Sequence, residues 1–158
     1  MRVGVTGHQD IPDEAWDEIR PAMSRELSAM GPRPIGISSL AAGADQLFAQ
    51  TLLALGGRLH VVVPCKGYES TFSTPRDLAR FKELVARATK IYPPRFARPS
   101  EKAFRAAGRR VVRLSEVIIA AWDGEAARGK GGTADTVRYA RRRKKPVRNV
   151  WPEGVDRR

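Results

Sequence analysis

The sequence has one cysteine, Cys65, which excludes an intrachain disulfide. Cysteine usage of this kind is typical of a reducing compartment, so we expect a cytoplasmic protein. No apolar run approaches the length of about 20 residues that a membrane span requires. The first residues also lack the apolar segment and small-residue cleavage site of a secretory signal. These absences predict a chain without a membrane partner.

Metal ligands and standard cofactor motifs are scarce as well. With two histidines and one cysteine, the chain has no cluster at metal-ligand spacing. It contains neither a Walker loop nor a GxGxxG pattern. We therefore predict no metal site and no bound cofactor.

Positive charge, by contrast, is abundant and unevenly distributed. The formal net charge is +12, and segments 76–113 and 138–158 hold twelve and nine Lys/Arg residues against three and two acids. Such clusters attract nucleic acid and other polyanions through counterion release, although solvated helix faces have the same composition. Few aromatic residues lie among the basic ones to stack on bases. Nucleic acid binding, for example through residues 141–145, is kept as an alternative that is not favoured.

The apolar pattern predicts a single α/β domain over residues 1–158, because strand-like runs alternate with helix-period stretches. Asp10 is expected to cap the first helix. Continuous apolar strands between helices indicate a doubly wound, mainly parallel sheet in a Rossmann-like three-layer sandwich. The predicted strands are 2–6, 34–38, 58–64, 89–92, 117–122 and 147–151. The predicted helices are 12–30, 42–55, 75–88, 100–115 and 133–143.

In such sheets the ligand binds beyond the carboxyl ends of the strands. Unusual loops follow these predicted ends, and the most informative is the glycine-rich loop before the last helix. Gly131 and Gly132 would let a phosphate approach the backbone, and the helix N–H groups and dipole attract anions. Thr133 can cap this helix and donate its hydroxyl to a phosphate. An ordinary flexible loop with a capping threonine would have the same residues.

Taken in order, these motifs resemble the SLOG superfamily, which groups the LONELY GUY phosphoribohydrolases, the DNA-processing protein A fold and the YpsA-like proteins. The resemblance covers nearly the whole chain and is closest to the small stand-alone branches. It implies a Rossmann-like nucleotide-binding domain, often a homo-oligomer, that acts on or senses nucleotide derivatives. The residues that carry it are Val5-Thr6-Gly7-His8, Ser38 through Gly43-Ala44-Asp45, Pro64, Tyr68, Phe72, Trp122-Asp123-Gly124 and Gly131-Gly132-Thr133.

The resemblance has one departure from the enzymes of the superfamily. LONELY GUY proteins carry the signature proline-Gly-Gly-x-Gly-Thr-x-x-Glu, and its glutamate serves hydrolysis of the N-glycosidic bond. In this chain the proline is missing and Thr136 stands at the place of the glutamate. Asp135 lies one residue earlier, about 100° around a helix. Glycosidic hydrolysis needs a carboxylate to stabilise the sugar cation or activate water, so this activity is an alternative in which Asp135 or Asp123 replaces the glutamate.

Several candidate residues have more than one interpretation. Asp45 either hydrogen-bonds a ribose or base or is a helix-start carboxylate, and Asp123 either contacts the ligand or fixes its loop. His8 is a general base, a phosphate contact or a loop-holding residue. An aromatic wall (Tyr68, Phe72) and two phosphate-reaching arginines (Arg109, Arg110) are weighed against ordinary packing and solvation.

The leading hypothesis is a protein that binds a small phosphorylated, nucleotide-like ligand, with catalysis undecided. The predicted ligand-binding residues are Thr6, Gly7, His8, Ser38, Ser39, Gly43, Asp45, Asp123, Gly131, Gly132 and Thr133. The candidate catalytic residues are Asp135, Asp123 and His8.

Overall fold

All six predicted strands are present and form one sheet in the computed structural model, which describes residues 1–125 and 132–156. The spatial order is β4-β3-β2-β1-β5-β6, and every neighbouring pair is parallel. The mainly parallel sheet predicted from continuous apolar strands is thus confirmed. The strands are β1 (Arg2–Gly7), β2 (Ile35–Ser38), β3 (Arg58–Val62), β4 (Lys90–Tyr92), β5 (Val117–Ala121) and β6 (Val147–Asn149).

Five α-helices cover both faces of this sheet. Helices α2 and α4 both pack on β1, β2 and β3; α2 also packs with α1 and α3, whereas α4 packs with α5. The two groups therefore lie on opposite faces, and the three-layer sandwich is confirmed. The helices are α1 (Asp13–Ser28), α2 (Ala44–Ala54), α3 (Pro75–Ala86), α4 (Glu101–Leu114) and α5 (Thr133–Arg142), with a 3-10 helix at Tyr68–Thr71.

The predicted capping of the first helix by Asp10 is wrong. Helix α1 has Pro12 as its N-cap residue, without a side-chain cap bond. The fixed φ of proline suits this start, and it places Asp10 two residues before the cap. Asp10 lies instead in the loop after β1. None of the helices among the described residues is both long and apolar enough to cross a membrane.

The strand order creates a switch point between β1 and β5. Successive strands from β1 to β4 are added on one side of β1, while β5 and β6 lie on the other. Connections that leave β1 and β5 therefore diverge to opposite sides, and a crevice opens at the carboxyl ends of these strands. The polar loops singled out from the sequence follow this edge.

Candidate functional site

A cavity of about 580 Å³ opens at the carboxyl ends of β1, β2 and β3. Its walls are the loops after these strands, the inner side of α4 and the first turn of α5. The volume lies within the range of about 300–1,000 Å³ that small-molecule sites occupy. The cavity is therefore large enough to hold a mononucleotide.

Most of the residues predicted to bind ligand converge on this cavity. The members that line it are Thr6, Gly7, His8, Ser39, Asp45, Gly132 and Thr133. Ser38, Gly43 and Asp123 do not line it but contact residues that do. Gly131 lies outside the described residues. Chain segments far apart in sequence are thus brought to one place, as the switch-point rule predicts.

Gly43 joins the loops after β1 and β2. It has φ +84°, and an added Cβ would lie 2.7 Å from the backbone oxygen of His8 and 2.8 Å from Cα of Gln9. The Ala44 N–H donates to that His8 oxygen at 3.3 Å. Gly43 thus lets the two loops pack against each other, and the space beside its Cα is filled by protein.

Asp45 is the buried carboxylate of the cavity. Its Oδ2 accepts a hydrogen bond from Ser38 Oγ at 3.1 Å, and the Ser39 backbone N–H donates to the same carboxylate. The Ser38 hydroxyl in turn accepts the Leu40 N–H at 2.9 Å, which orients it. Desolvation raises the pKa of Asp45 from 3.8 to about 7, against the opposing effect of these two hydrogen bonds. Asp45 therefore changes its protonation state near neutral pH.

His8 and Asp123 form a pair at the end of β1 and β5. The His8 Nε2 atom lies 3.1 Å from Asp123 Oδ1 and 3.2 Å from the Asp123 backbone N. When Nε2 carries a proton, it donates to the Asp123 carboxylate. When it carries none, it accepts from the Asp123 backbone N–H. Trp151 packs edge-on against the imidazole with a centroid separation of 5.3 Å. The ring is thus held in place while lining the cavity.

Asp123 itself lies behind His8. Its side chain is 1% exposed, and Oδ1 also accepts the Glu125 N–H at 3.0 Å. These contacts fix the loop after β5, which was one of the two predicted roles. This carboxylate does not line the cavity, and it contacts His8, which does.

One end of the cavity is aromatic. Tyr68, Phe72 and Phe104 line it, with the Tyr68 ring 5.3 Å from Phe72 and 6.3 Å from Phe104 between centroids. Burial, and next the charge of Asp45, raise the pKa of the Tyr68 hydroxyl far above its usual range. Tyr68 is therefore neutral and lies near Asp45.

Phe104 was missed in the sequence. It lies on one face of α4 with Ala107, Gly108 and Val111, and all four line the cavity. Their spacing is the apolar stripe of an amphipathic helix. Such a stripe predicts burial, but it does not separate residues facing a cavity from those facing a packed core.

The opposite end of the cavity is the start of α5. Gly132 is its N-cap residue, with φ −75° and ψ 173°, and makes no side-chain cap bond. The first N–H groups of a helix have no intrahelical partner, and the helix dipole favours an anion beside them. Thr136 of this turn lies against α4, because a Cβ added to Gly108 would be 2.8 Å from its Oγ1. Phe104 and Gly108 are one turn apart on α4, so both ends of the cavity border this helix.

Asp135 does not belong to the cavity lining. Its carboxylate pairs with Arg138 at 3.1 Å at the protein surface. Thr136, which stands at the place of the LONELY GUY glutamate, faces the cavity instead. The structure therefore separates this candidate catalytic residue from the residues that line the cavity.

A cationic surface covers the outer side of α4 and α5. Arg109 and Arg142 stack on the Tyr139 ring at 5.0 and 5.9 Å, and Arg113 donates to the Tyr139 hydroxyl at 3.3 Å. That bond and neighbouring arginines lower the pKa of Tyr139. Arg110 stacks on Tyr92 at 4.6 Å. Among the described residues of α4 and α5, only one arginine, Arg138, has an acidic partner.

No family model matches the chain, and no curated protein matches its sequence significantly. Solved structures do match. DNA processing protein A from Helicobacter pylori, studied for its single-stranded DNA binding mode, is 19% identical with a TM-score of 0.72, over 99% of this chain and 67% of that chain. DNA processing protein A from Streptococcus pneumoniae is 20% identical with a TM-score of 0.72, over 98% of this chain and 52% of that chain.

A third structure, the structural-genomics target TM1055, is 16% identical with a TM-score of 0.58, over 92% of this chain and 71% of that chain. At these identities the likeness concerns the fold alone. The chain spans about half to two thirds of the two DNA processing proteins. It therefore has the Rossmann-like fold of DNA processing protein A and TM1055, the SLOG-type fold predicted from its sequence motifs.

Proposed function

We propose that the protein binds a small phosphorylated, nucleotide-like ligand in the cavity at the carboxyl edge of the sheet. The observation that carries this proposal is the convergence of loops from β1 and β2 and the start of α5 on one cavity. That cavity has an aromatic end and, at another part of its lining, the start of α5. An aromatic surface suits a base, and a helix N-terminus suits a phosphate.

The phosphate is assigned to α5 rather than α2. Both helices begin at the cavity edge without a side-chain cap bond. The first turn of α2, however, carries the carboxylate of Asp45 in the cavity lining, which repels an anion when ionised. The first-turn carboxylate of α5, Asp135, does not line the cavity and pairs with Arg138. At α5 the backbone N–H groups and the hydroxyl of Thr133 can contact phosphate oxygens, whereas the Thr136 hydroxyl donates to the Gly132 backbone oxygen at 3.4 Å. None of the described residues that line the cavity is a lysine or arginine, so these neutral donors carry the contact.

The test is a thermal-shift titration with AMP, GMP and their 2′-deoxy forms. Ligand at about 100 times its Kd stabilises a protein by about 2.7 kcal/mol, which corresponds to a shift of about 5 to 10 °C for a chain of this size. Thr133→Val should weaken binding by about ten- to 100-fold, because a hydrogen bond to a charged group is lost. Thr51→Val is the matched control, since Thr51 bonds Leu47 O within α2 and does not line the cavity. Absence of a saturable shift with every nucleotide would refute the proposal.

Hydrolysis of an N-glycosidic bond receives less support. This reaction needs a carboxylate at the sugar, and Asp135 is paired with Arg138 outside the cavity. Asp10 and Asp45 are the carboxylates among the described lining residues. Release of free base from the same nucleotides would identify this activity, and its persistence in Asp135→Ala would exclude that residue as the catalyst.

A second candidate function is binding of single-stranded nucleic acid on the outer side of α4 and α5. The fold neighbour from Helicobacter pylori binds single-stranded DNA. In this chain Arg109, Arg113 and Arg142 surround the ring of Tyr139 without acidic partners. Arginines of this kind contact phosphates, and an adjacent ring can stack on a base. An oligonucleotide would then bind with a steep dependence on salt.

A further inference from the structure

We propose that Asp45 determines the specificity of the cavity: its carboxylate accepts hydrogen bonds from two adjacent donors of the ligand. This inference rests on the proposed nucleotide-like ligand and adds the group that is recognised. It depends on three features of Asp45, which are its internal hydrogen bonds, its position in the cavity and its burial.

The internal hydrogen bonds leave part of the carboxylate available. An ionised carboxylate has about four acceptor positions. Ser38 Oγ and the Ser39 N–H occupy two of them. Asp45 nevertheless lines the cavity, and we assign its remaining acceptor positions to a ligand there. A ligand with two neighbouring donors would complete the set.

The position of Asp45 assigns these donors to the nucleoside and not to the phosphate. Asp45 influences the titration of Tyr68, which belongs to the aromatic end of the cavity. A phosphate would be repelled by the carboxylate and finds N–H donors at α5 instead. Two sources of adjacent donors remain, the N–H and amino groups of a guanine-type base edge and the vicinal hydroxyls of a ribose.

Because Asp45 is buried, recognition of the ligand depends on the protonation state of this carboxylate. Without ligand the pKa of Asp45 is about 7 because the charged form is desolvated. Two ligand donors stabilise that charged form and lower the pKa again. Binding at pH 6 therefore releases a proton, and affinity should be about tenfold lower at pH 6 than at pH 8. The titratable groups that share the cavity with Asp45 are Tyr68 of the 3-10 helix and His8 and Asp10 of the loop after β1, with Cys65 behind Tyr68.

The experiment measures binding of GMP, dGMP and AMP to the wild type and to Asp45→Asn by calorimetry. Each titration is run at pH 6 and pH 8 in two buffers of different ionisation enthalpy, which gives the number of protons released. The nucleotide phosphate also titrates near pH 6, and the Asn variant provides that background. Glu14→Gln is the matched control, because it removes a first-turn carboxylate of α1 that does not line the cavity.

We expect the wild type to release close to one proton more at pH 6 than Asp45→Asn, and the variant to bind about tenfold or more weakly at pH 8. A preference for GMP over AMP that disappears in the variant assigns the donors to the base. A preference for GMP over dGMP that disappears assigns them to the ribose. Nucleotide binding that is equal in wild type and variant, with equal proton release, would overturn the inference and leave the proposed function intact. Failure of all nucleotides to bind the wild type overturns the proposed function itself.

Discussion

Asp45 is a carboxylate whose ionisation opposes folding, because it is buried. A carboxylate at the start of a helix is normally stabilised by the helix dipole. Here burial outweighs that effect and two hydrogen bonds, and its pKa rises to about 7. The ionised Asp45 carboxylate is an almost fully buried charge that destabilises the folded protein. It nevertheless lies at a position that lines the cavity. Perturbed carboxylates of this kind cluster at functional sites.

The cost should be measurable as a pH-dependent stability. Between pH 3.8 and about 7 the folded protein holds a proton on Asp45 that the unfolded chain has lost. The free energy of unfolding therefore falls as pH rises through this interval and becomes constant above it. Asp45→Asn cannot ionise, so its gain in stability over the wild type should grow by about 2 to 3 kcal/mol from pH 5 to pH 8. Urea unfolding at both pH values measures this difference.

Asp135→Asn is the control for that measurement, because Asp135 is a first-turn carboxylate that remains partly exposed. It should show no comparable growth with pH. An equal pH dependence of Asp45→Asn and the wild type would mean that the Asp45 carboxylate is not desolvated. The direction of the stability change also matters for the ligand experiments, since Asp45→Asn is expected to be more stable than the wild type. A loss of binding in that variant therefore does not reflect unfolding.

At the scale of elements, the turn between β2 and α2 determines the shape of the site. Gly43 and Gly31 have nearly equal positive φ angles, +84° and +86°. Alanine at Gly31 meets nothing within 4 Å, whereas alanine at Gly43 meets the backbone of His8 and Gln9. Gly31→Ala should cost about 1 kcal/mol from backbone strain alone. Gly43→Ala should cost about 2 to 4 kcal/mol, because the two loops must also separate.

Denaturant unfolding of both variants tests this prediction, and nucleotide binding provides a second readout. Gly43→Ala should reduce binding because Asp45 and His8 no longer keep their relative positions. Gly31→Ala lies beyond the end of α1 and should leave binding unchanged. If the two variants lose stability equally, the close contact between the loops does not contribute to the fold.

The elements were predictable because their signals are local. Strand β5 is an unbroken apolar run that is buried throughout, and α3 begins at the expected Pro75. Most differences between the predicted and the observed elements are helix ends that differ by one or two residues. The exception is Asp10, where proline at the N-cap replaced the expected side-chain cap.

The predicted site was less complete because its geometry is not local. Glycines and a threonine before a helix indicate an anion site, and Gly132 and Thr133 do line the cavity. A strand-end aspartate predicts a position at the same edge of the sheet, but it cannot show that His8 covers Asp123. The cavity side of α4, including Phe104, depends on how helix and sheet pack. The spacing of residues along the sequence does not show which side of α4 faces the cavity.

For the whole molecule, the distribution of charge separates two kinds of binding. The net charge is +12, yet the described lining of the cavity has no lysine or arginine. Unpaired arginines lie on α4 and α5 instead. A mononucleotide in the cavity would therefore release few counterions, whereas a strand along the outer helices would release one for each phosphate that is neutralised.

Salt dependence accordingly distinguishes the two candidate functions. For a single strand, the logarithm of affinity falls with the logarithm of salt by about 0.7 for each contacted phosphate. Contacts to about four phosphates reduce affinity about 50-fold between 50 and 200 mM salt, while mononucleotide binding should change only about two- to threefold.

The double variant Arg109→Gln/Arg142→Gln should lower the oligonucleotide slope by about 1.4 and leave mononucleotide affinity unchanged. Arg20→Gln/Arg25→Gln, on α1 at the opposite face, is the control. A shallow oligonucleotide slope, or one that the first double variant does not alter, would remove the outer face of α4 and α5 as a binding surface, because charge there would not be what the strand contacts.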